Sequence, residues 1–224
     1  MAEDLVLVNR PCSGVSILTL NRPDKRNALS IALRDQGSDT LDRLGGDESV
    51  KAVVITGSGE TFCAGFDLKE FEQTSDPEFA HRLWASSDRW HRTLAQFPLP
   101  LVGAVNGPAL AGGFDLAVLC DIRVIADTAR FAHPEISFGD LVYGPLHDLV
   151  GGAVARDLCL TGRTIDSAEA FKLGLASQVV PKDEVLNAAV AVASTIARAP
   201  RGVLVRTKSK AIRRAGVSGT TLDL

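Results

Sequence analysis

The stretch VGAVNGPALAGGFDLAVLC, residues Val102 to Cys120, decides how the chain is read. It opens on an apolar run ended by glycine, the pattern of a strand buried on both faces. Two adjacent glycines then bare the backbone before Phe114, Asp115 and Leu116, and the apolar residues beyond suit a buried helix. About fifty residues earlier the phrase is already present, with KAVVITG (Lys51–Gly57) followed by CAGFDLK (Cys63–Lys69). Strand, glycine turn and helix recur, which predicts a layered α/β architecture of repeated units.

Working outward, Leu5–Val8 and Val15–Leu20 are β-rich runs around the Pro/Gly cluster NRPCSG, a hairpin pattern. A helix is expected from Ser30, a plausible N-cap, to Leu44. Pro77 to Phe97 carries Phe79, Leu83, Trp90, Leu94 and Phe97 at helical steps. IRVIAD is a third buried strand, and ARFAHPEISFG a short strand with a proline-marked exit. Further helices are expected over Tyr143–Leu160, Ser167–Leu173, Asp183–Ala199 and Val203–Ala215, with a last short strand at ASQVV. No linker interrupts the chain. The reading is one domain, a core over 1–180 with a helical C-terminal extension over 181–224.

Composition narrows the function. The 224 residues are 46% hydrophobic with a net charge of −3, and show no basic stripe interleaved with aromatics, so no nucleic-acid partner is expected. The late cluster Arg198, Arg201, Arg206, Lys208, Lys210, Arg213 and Arg214 reads as a solvated helix face. No run is long and charge-free enough to span a bilayer, and the acidic N-terminus does not resemble a signal peptide. Cys12, Cys63, Cys120 and Cys159 lie far apart and read as buried small apolar residues of a reducing, cytoplasmic compartment. The four histidines are equally scattered, so no metal is expected.

A glycine turn that leaves a strand and opens a helix lets the backbone approach a ligand with unpaired N–H groups. Two such turns side by side can aim two donors at one oxygen, an oxyanion hole. The competing reading is strand-to-helix punctuation. G-x-G-x-x-G, G-x-x-x-x-G-K-[ST] and G-x-S-x-G are all missing, which disfavours dinucleotide, P-loop and serine-hydrolase chemistry. Asp115, at the mouth of the expected helix, is open to either capping or proton transfer. Glu135, in AHPEIS, follows a proline and has no adjacent base. Two carboxylates facing one bound carbonyl compound can serve as general base and acid, and desolvation helps one of them keep its proton.

These residues resemble the enoyl-CoA hydratase/isomerase, or crotonase-like, family. The likeness runs through LNRPDKRNALS (Leu20–Ser30), GSGETFCAGFDLKEF (Gly57–Phe71), AVNGPALAGGFDLAVLCDIRVI (Ala104–Ile125), ARFAHPEISFG (Ala129–Gly139) and LTGRTIDSAEAFKLGLASQVV (Leu160–Val180), in family order. It implies a spiral of ββα units, assembled as a trimer or a dimer of trimers. It also implies an acyl-CoA substrate, with coenzyme A part of the substrate and no tightly bound cofactor. The polarising N–H groups fall on Phe66 and Gly112. Ala64, Asp67, Leu68 and Lys69 line the CoA, with Lys25, Arg26 and Ala28 near its nucleotide end. Glu135 falls on the second acid of a hydratase, and Asp115 on the first, where a hydratase usually carries glutamate.

The implied reaction is hydration of 2-enoyl-CoA thioesters in fatty-acid or related metabolism. Aspartate reaches roughly 1.5 Å less than glutamate, which keeps two alternatives alive. One is a double-bond isomerase with Glu135 as the proton shuttle, and the other a non-catalytic acyl-CoA binder. Asp140, Tyr143 and His147 stand where many hydratases have a Pro/Gly loop and a Gln-Arg pair, and are expected to line the pocket or a helix surface. The family usually continues beyond GTTLDL, so the extension is expected to be shorter than usual.

Overall fold

The computed structural model describes residues 4–137, 139 and 141–215. Strands β1 (Val6–Cys12) and β2 (Val15–Leu20) form the expected antiparallel hairpin. Helix α1 (Ile31–Gly46) follows, with Ser30 Oγ accepting from Leu33 N at 3.2 Å, so the N-cap is as the sequence indicates. β3 (Ala52–Gly57), the four-residue helix α2 (Leu68–Phe71) and the long α3 (Pro77–Ala95) come next. Then follow β4 (Leu101–Val105), β5 (Ala109–Leu110), α4 (Gly112–Leu119), β6 (Ile122–Ala126) and β7 (Arg130–Ala132).

Tyr143–Leu160 is not one helix. It divides into α5 (Gly144–Val150) and α6 (Gly152–Thr161) at Gly151, whose φ of 78° and ψ of 158° cannot continue a helix. A two-residue strand that the sequence does not announce, β8 (Ile165–Asp166), precedes α7 (Ser167–Lys172). The chain closes with β9 (Gln178–Val180), α8 (Val185–Ile196) and α9 (Arg201–Ala215). The end of the expected extension, from residue 216, lies outside the described residues.

Two sheets stack the repeats. The larger runs β1-β2-β3-β4-β6-β9, parallel throughout except for the hairpin. The smaller runs β5-β7-β8. Single bridges, Leu29 to Phe66 and Cys63 to Ala109, extend the smaller layer towards the N-terminal half. Successive passes of the chain thus add a strand to one layer and then a short extended piece to the other, which gives the layered repeat that the doubled phrase predicts and the spiral that the resemblance implies.

The large sheet forms the core. β3 and β4 are buried along their whole length, and Val53, Val54 and Ile55 each contribute roughly 1.5–3 kcal/mol through burial. α8 packs on β3, β4 and β6, with Val185, Ala189 and Ala193 in the same core. The first helix of the extension is therefore a cover for the sheet, continuous with the core. α9 is tied down by Lys208, whose Nζ lies 2.5 Å from Asp121 Oδ1 at the start of β6. No single described helix is long and apolar enough to cross a membrane.

Candidate active site

The two glycine turns interlock. Gly65 has a φ of +87°, and a Cβ there would come within 2.6 Å of Ala111 Cβ and 2.8 Å of Leu110 O. Gly113 answers from the other side, where a Cβ would come within 2.2 Å of Cys63 O. Only glycine permits both approaches. Ala111 between them has a φ of 52°, a conformation strained for alanine and kept by its surroundings. Among the described residues, the backbone N–H groups of Phe66 and Gly112 find no acceptor. The Leu29–Phe66 bridge engages the flanking groups instead, with Leu29 N donating to Gly65 O at 2.7 Å.

Phe66, Gly112, Asp115 and Glu135 line one cavity of about 580 Å³, with Ala64 and Leu68 also on its wall. Phe71, Trp84, Leu141 and Val142 make most of the rest apolar. Asp140 lies outside the described residues. Tyr143 and His147 sit elsewhere, on a groove between α5 and the end of α9.

Asp115 does not cap its helix. α4 begins at Gly112, the cap position is Ala111, and the Asp115 carboxylate accepts no backbone N–H among the described residues. It is 4% exposed and faces two imidazoles, with His91 Nε2 3.9 Å from Oδ2 and His133 Nδ1 3.8 Å from Oδ1. Glu135 stands on a short 3₁₀ turn, Pro134–Ser137, and takes a hydrogen bond from His133 Nδ1 at 2.9 Å. Its Oε2 has no hydrogen-bond partner among the described residues.

Two of the four histidines that look scattered in sequence, His91 and His133, meet here. His91 comes from α3, where Nδ1 approaches Ser87 O at 2.9 Å, and Phe66 stacks on its ring. His133 is fully buried and stacks on Phe114 at 4.6 Å. Burial alone pushes the His133 pKa down, but the Glu135 hydrogen bond and the charges of Asp115 and Glu135 outweigh it and leave the pKa raised. Cys159 nearby is pushed up to about 11, first by burial and then by the two acids, so it stays a neutral thiol. Donor atoms of Asp115, His133 and Glu135 lie within 4.8 Å of one another, close enough for a cation. His133 Nδ1 is already hydrogen-bonded to Glu135 Oε1.

Arg34 is a second residue the sequence did not flag. Fully buried on α1, it donates to Leu29 O, Leu83 O and Ser86 Oγ at 2.9, 3.2 and 3.2 Å, and its guanidinium lies 4.5 Å from the Phe66 ring centroid. Burial lowers its pKa to about 10, which leaves it charged at neutral pH.

The residues assigned to the CoA side lie on the neighbouring surface. Lys25, Arg26 and Lys69 are exposed, and the Arg26 carbonyl accepts from Ala64 N at 3.0 Å. Ala28 O accepts from Arg22 Nη1 at 2.6 Å. Asp67 caps α2 through Lys69 N and pairs with Arg22 at 3.0 Å, so its carboxylate has structural partners. Cys12 departs from its expected burial. It lies on the outer hairpin strand and is exposed, whereas Cys63, Cys120 and Cys159 are buried.

The family model for enoyl-CoA hydratase/isomerase matches residues 11–221. A probable enoyl-CoA hydratase of Mycobacterium bovis is 40% identical over 219 residues, covering 96% of this chain and 83% of that protein. The crystal structure of an enoyl-CoA hydratase from Bacillus anthracis superposes with a TM-score of 0.89 at 30% identity, covering 96% of this chain and 84% of that one. A monofunctional enoyl-CoA isomerase from M. smegmatis superposes at 0.80 with 28% identity, covering 97% and 96% of the two chains.

Proposed function

The chain belongs to the enoyl-CoA hydratase/isomerase family, and from that premise we propose that it hydrates 2-enoyl-CoA thioesters. The observation that carries this reading is the meeting of two N–H groups, Phe66 and Gly112, that find no acceptor among the described residues, with two carboxylates on one largely apolar cavity. The N–H pair acts on the thioester oxygen and stabilises the charge that develops there. Asp115 holds a water and takes its proton as the oxygen adds to C3, and Glu135 delivers a proton to C2. Coenzyme A enters only as part of the substrate, on the side of Lys25, Arg26 and Lys69. The family resemblance makes a trimer or a dimer of trimers the assembly to look for by light scattering.

Isomerisation is the second reading, favoured by the short reach of Asp115 and by the likeness to the mycobacterial isomerase. In it Glu135 alone moves one proton between carbons. Assays on crotonyl-CoA and a 3-enoyl-CoA with wild type, Glu135→Ala and Asp115→Asn separate the two. Hydration predicts that both variants lose roughly 10²–10⁴-fold on crotonyl-CoA. Equal rates for wild type and Glu135→Ala would overturn it, and an Asp115→Asn enzyme that keeps its 3-enoyl activity would assign the isomerase.

A further inference from the structure

Two acids in one buried cavity repel each other as carboxylates, and one of them ordinarily keeps its proton. Here the fold inserts a third group. His133 Nδ1 lies 2.9 Å from Glu135 Oε1 and 3.8 Å from Asp115 Oδ1, on a ring held flat against Phe114. The hydrogen bond engages one oxygen of Glu135 and leaves Oε2, which has no partner among the described residues, as the oxygen for substrate. We propose that His133 is a positioning residue of this site: its protonated imidazole fixes Glu135 and stabilises the carboxylate that Glu135 becomes once its proton has gone to carbon. The inference rests on the acid–base reading above and adds to it a residue that never touches substrate.

Among the described residues the titratable neighbours are few. Glu135 faces His133 from its own segment and Asp115 from α4. His91 on α3 faces Asp115 from the opposite side, and Cys159 on α6 is a thiol kept neutral by burial. Among the described residues, the Asp115 carboxylate favours the charged form of His133, and Glu135 adds to that field once its proton has gone to carbon.

Histidine-labelled protein tests this by NMR, with His133→Gln identifying the His133 signal among the four histidines. The ring is expected to remain protonated above pH 6.5, and Glu135→Gln to move its titration to lower pH. A ring already neutral below pH 6, or one indifferent to Glu135→Gln, overturns the proposal. Kinetics supply the second arm. Glutamine keeps a donor but no charge, so His133→Gln should lower kcat about 10- to 100-fold with little change in KM. It should also move the acidic limb of the pH profile upward, because the two acids now face each other alone. Wild-type kcat with an unmoved limb also overturns it. A wild type inert towards every enoyl thioester refutes the hydration reading instead, and the NMR titrations still report the charge on His133.

Discussion

Gly65 presses so closely on Gly112 that a Cβ at position 65 would lie 3.1 Å from the Gly112 nitrogen. The same Cβ would meet Leu110 O at 2.8 Å, at a φ of +87° that alanine adopts only under strain. Gly65→Ala therefore separates the two turns, and with them the Phe66 and Gly112 donors. Loss of one such donor costs about 10²–10³ in kcat. That fall is expected on enoyl thioesters, with the fold retained by circular dichroism. A Gly65→Ala enzyme with wild-type kcat would show that the turns do not act as a pair.

Much of this was legible in the chain. The doubled phrase reads correctly because both copies couple a glycine-dependent contact to a buried strand, and each requirement is local. Ser30 and Gly57 announce their own boundaries for the same reason. The break at Gly151 was less legible, because a glycine inside a helical pattern is often tolerated and only its φ decides. His91, His133 and Arg34 were not legible as a group. They come from α3, the segment after β7, and α1, and only the fold gathers them around Phe66 and Asp115. Asp115 was legible as a choice between cap and proton carrier, and the geometry of Ala111 removed the first option.

The four cysteines should differ sharply in reactivity. Burial pushes the Cys63 and Cys120 thiols up to about 12 and Cys159 to about 11, while Cys12 is exposed on β1. Thiolate is the reacting form. A disulfide reagent at pH 8 is expected to titrate one thiol per native chain, lost in Cys12→Ser, and all four in denaturant. Fast labelling of a second thiol would contradict the burial of the core cysteines.

Stability should carry the mark of His133. Its pKa is raised in the folded state above the ordinary 6.5, so the native protein holds a proton that the unfolded chain releases first. That contribution is complete below pH 6.5 and is lost as pH rises through the folded value. Urea midpoints of wild type and His133→Gln, measured from pH 5.5 to 9, are expected to converge as pH increases. A constant difference would mean that the imidazole folds uncharged.

Arg34 supplies the sharpest packing prediction. Nε, Nη1 and Nη2 each hold a separate acceptor, and the guanidinium plane supports the Phe66 ring. Lysine in its place carries one nitrogen and no plane. Arg34→Lys must therefore abandon at least one of the Leu29 and Leu83 carbonyls in the interior, at about 1–3 kcal/mol each. The expected loss is about 2–4 kcal/mol in urea unfolding. Because Leu29 O and Phe66 both border the turn that carries a donor N–H, kcat should fall as well, measured at a temperature where the variant is still fully folded. Full stability in Arg34→Lys would mean that the three hydrogen bonds are dispensable. Lost stability with intact kcat would confine Arg34 to the packing of α1 on α3.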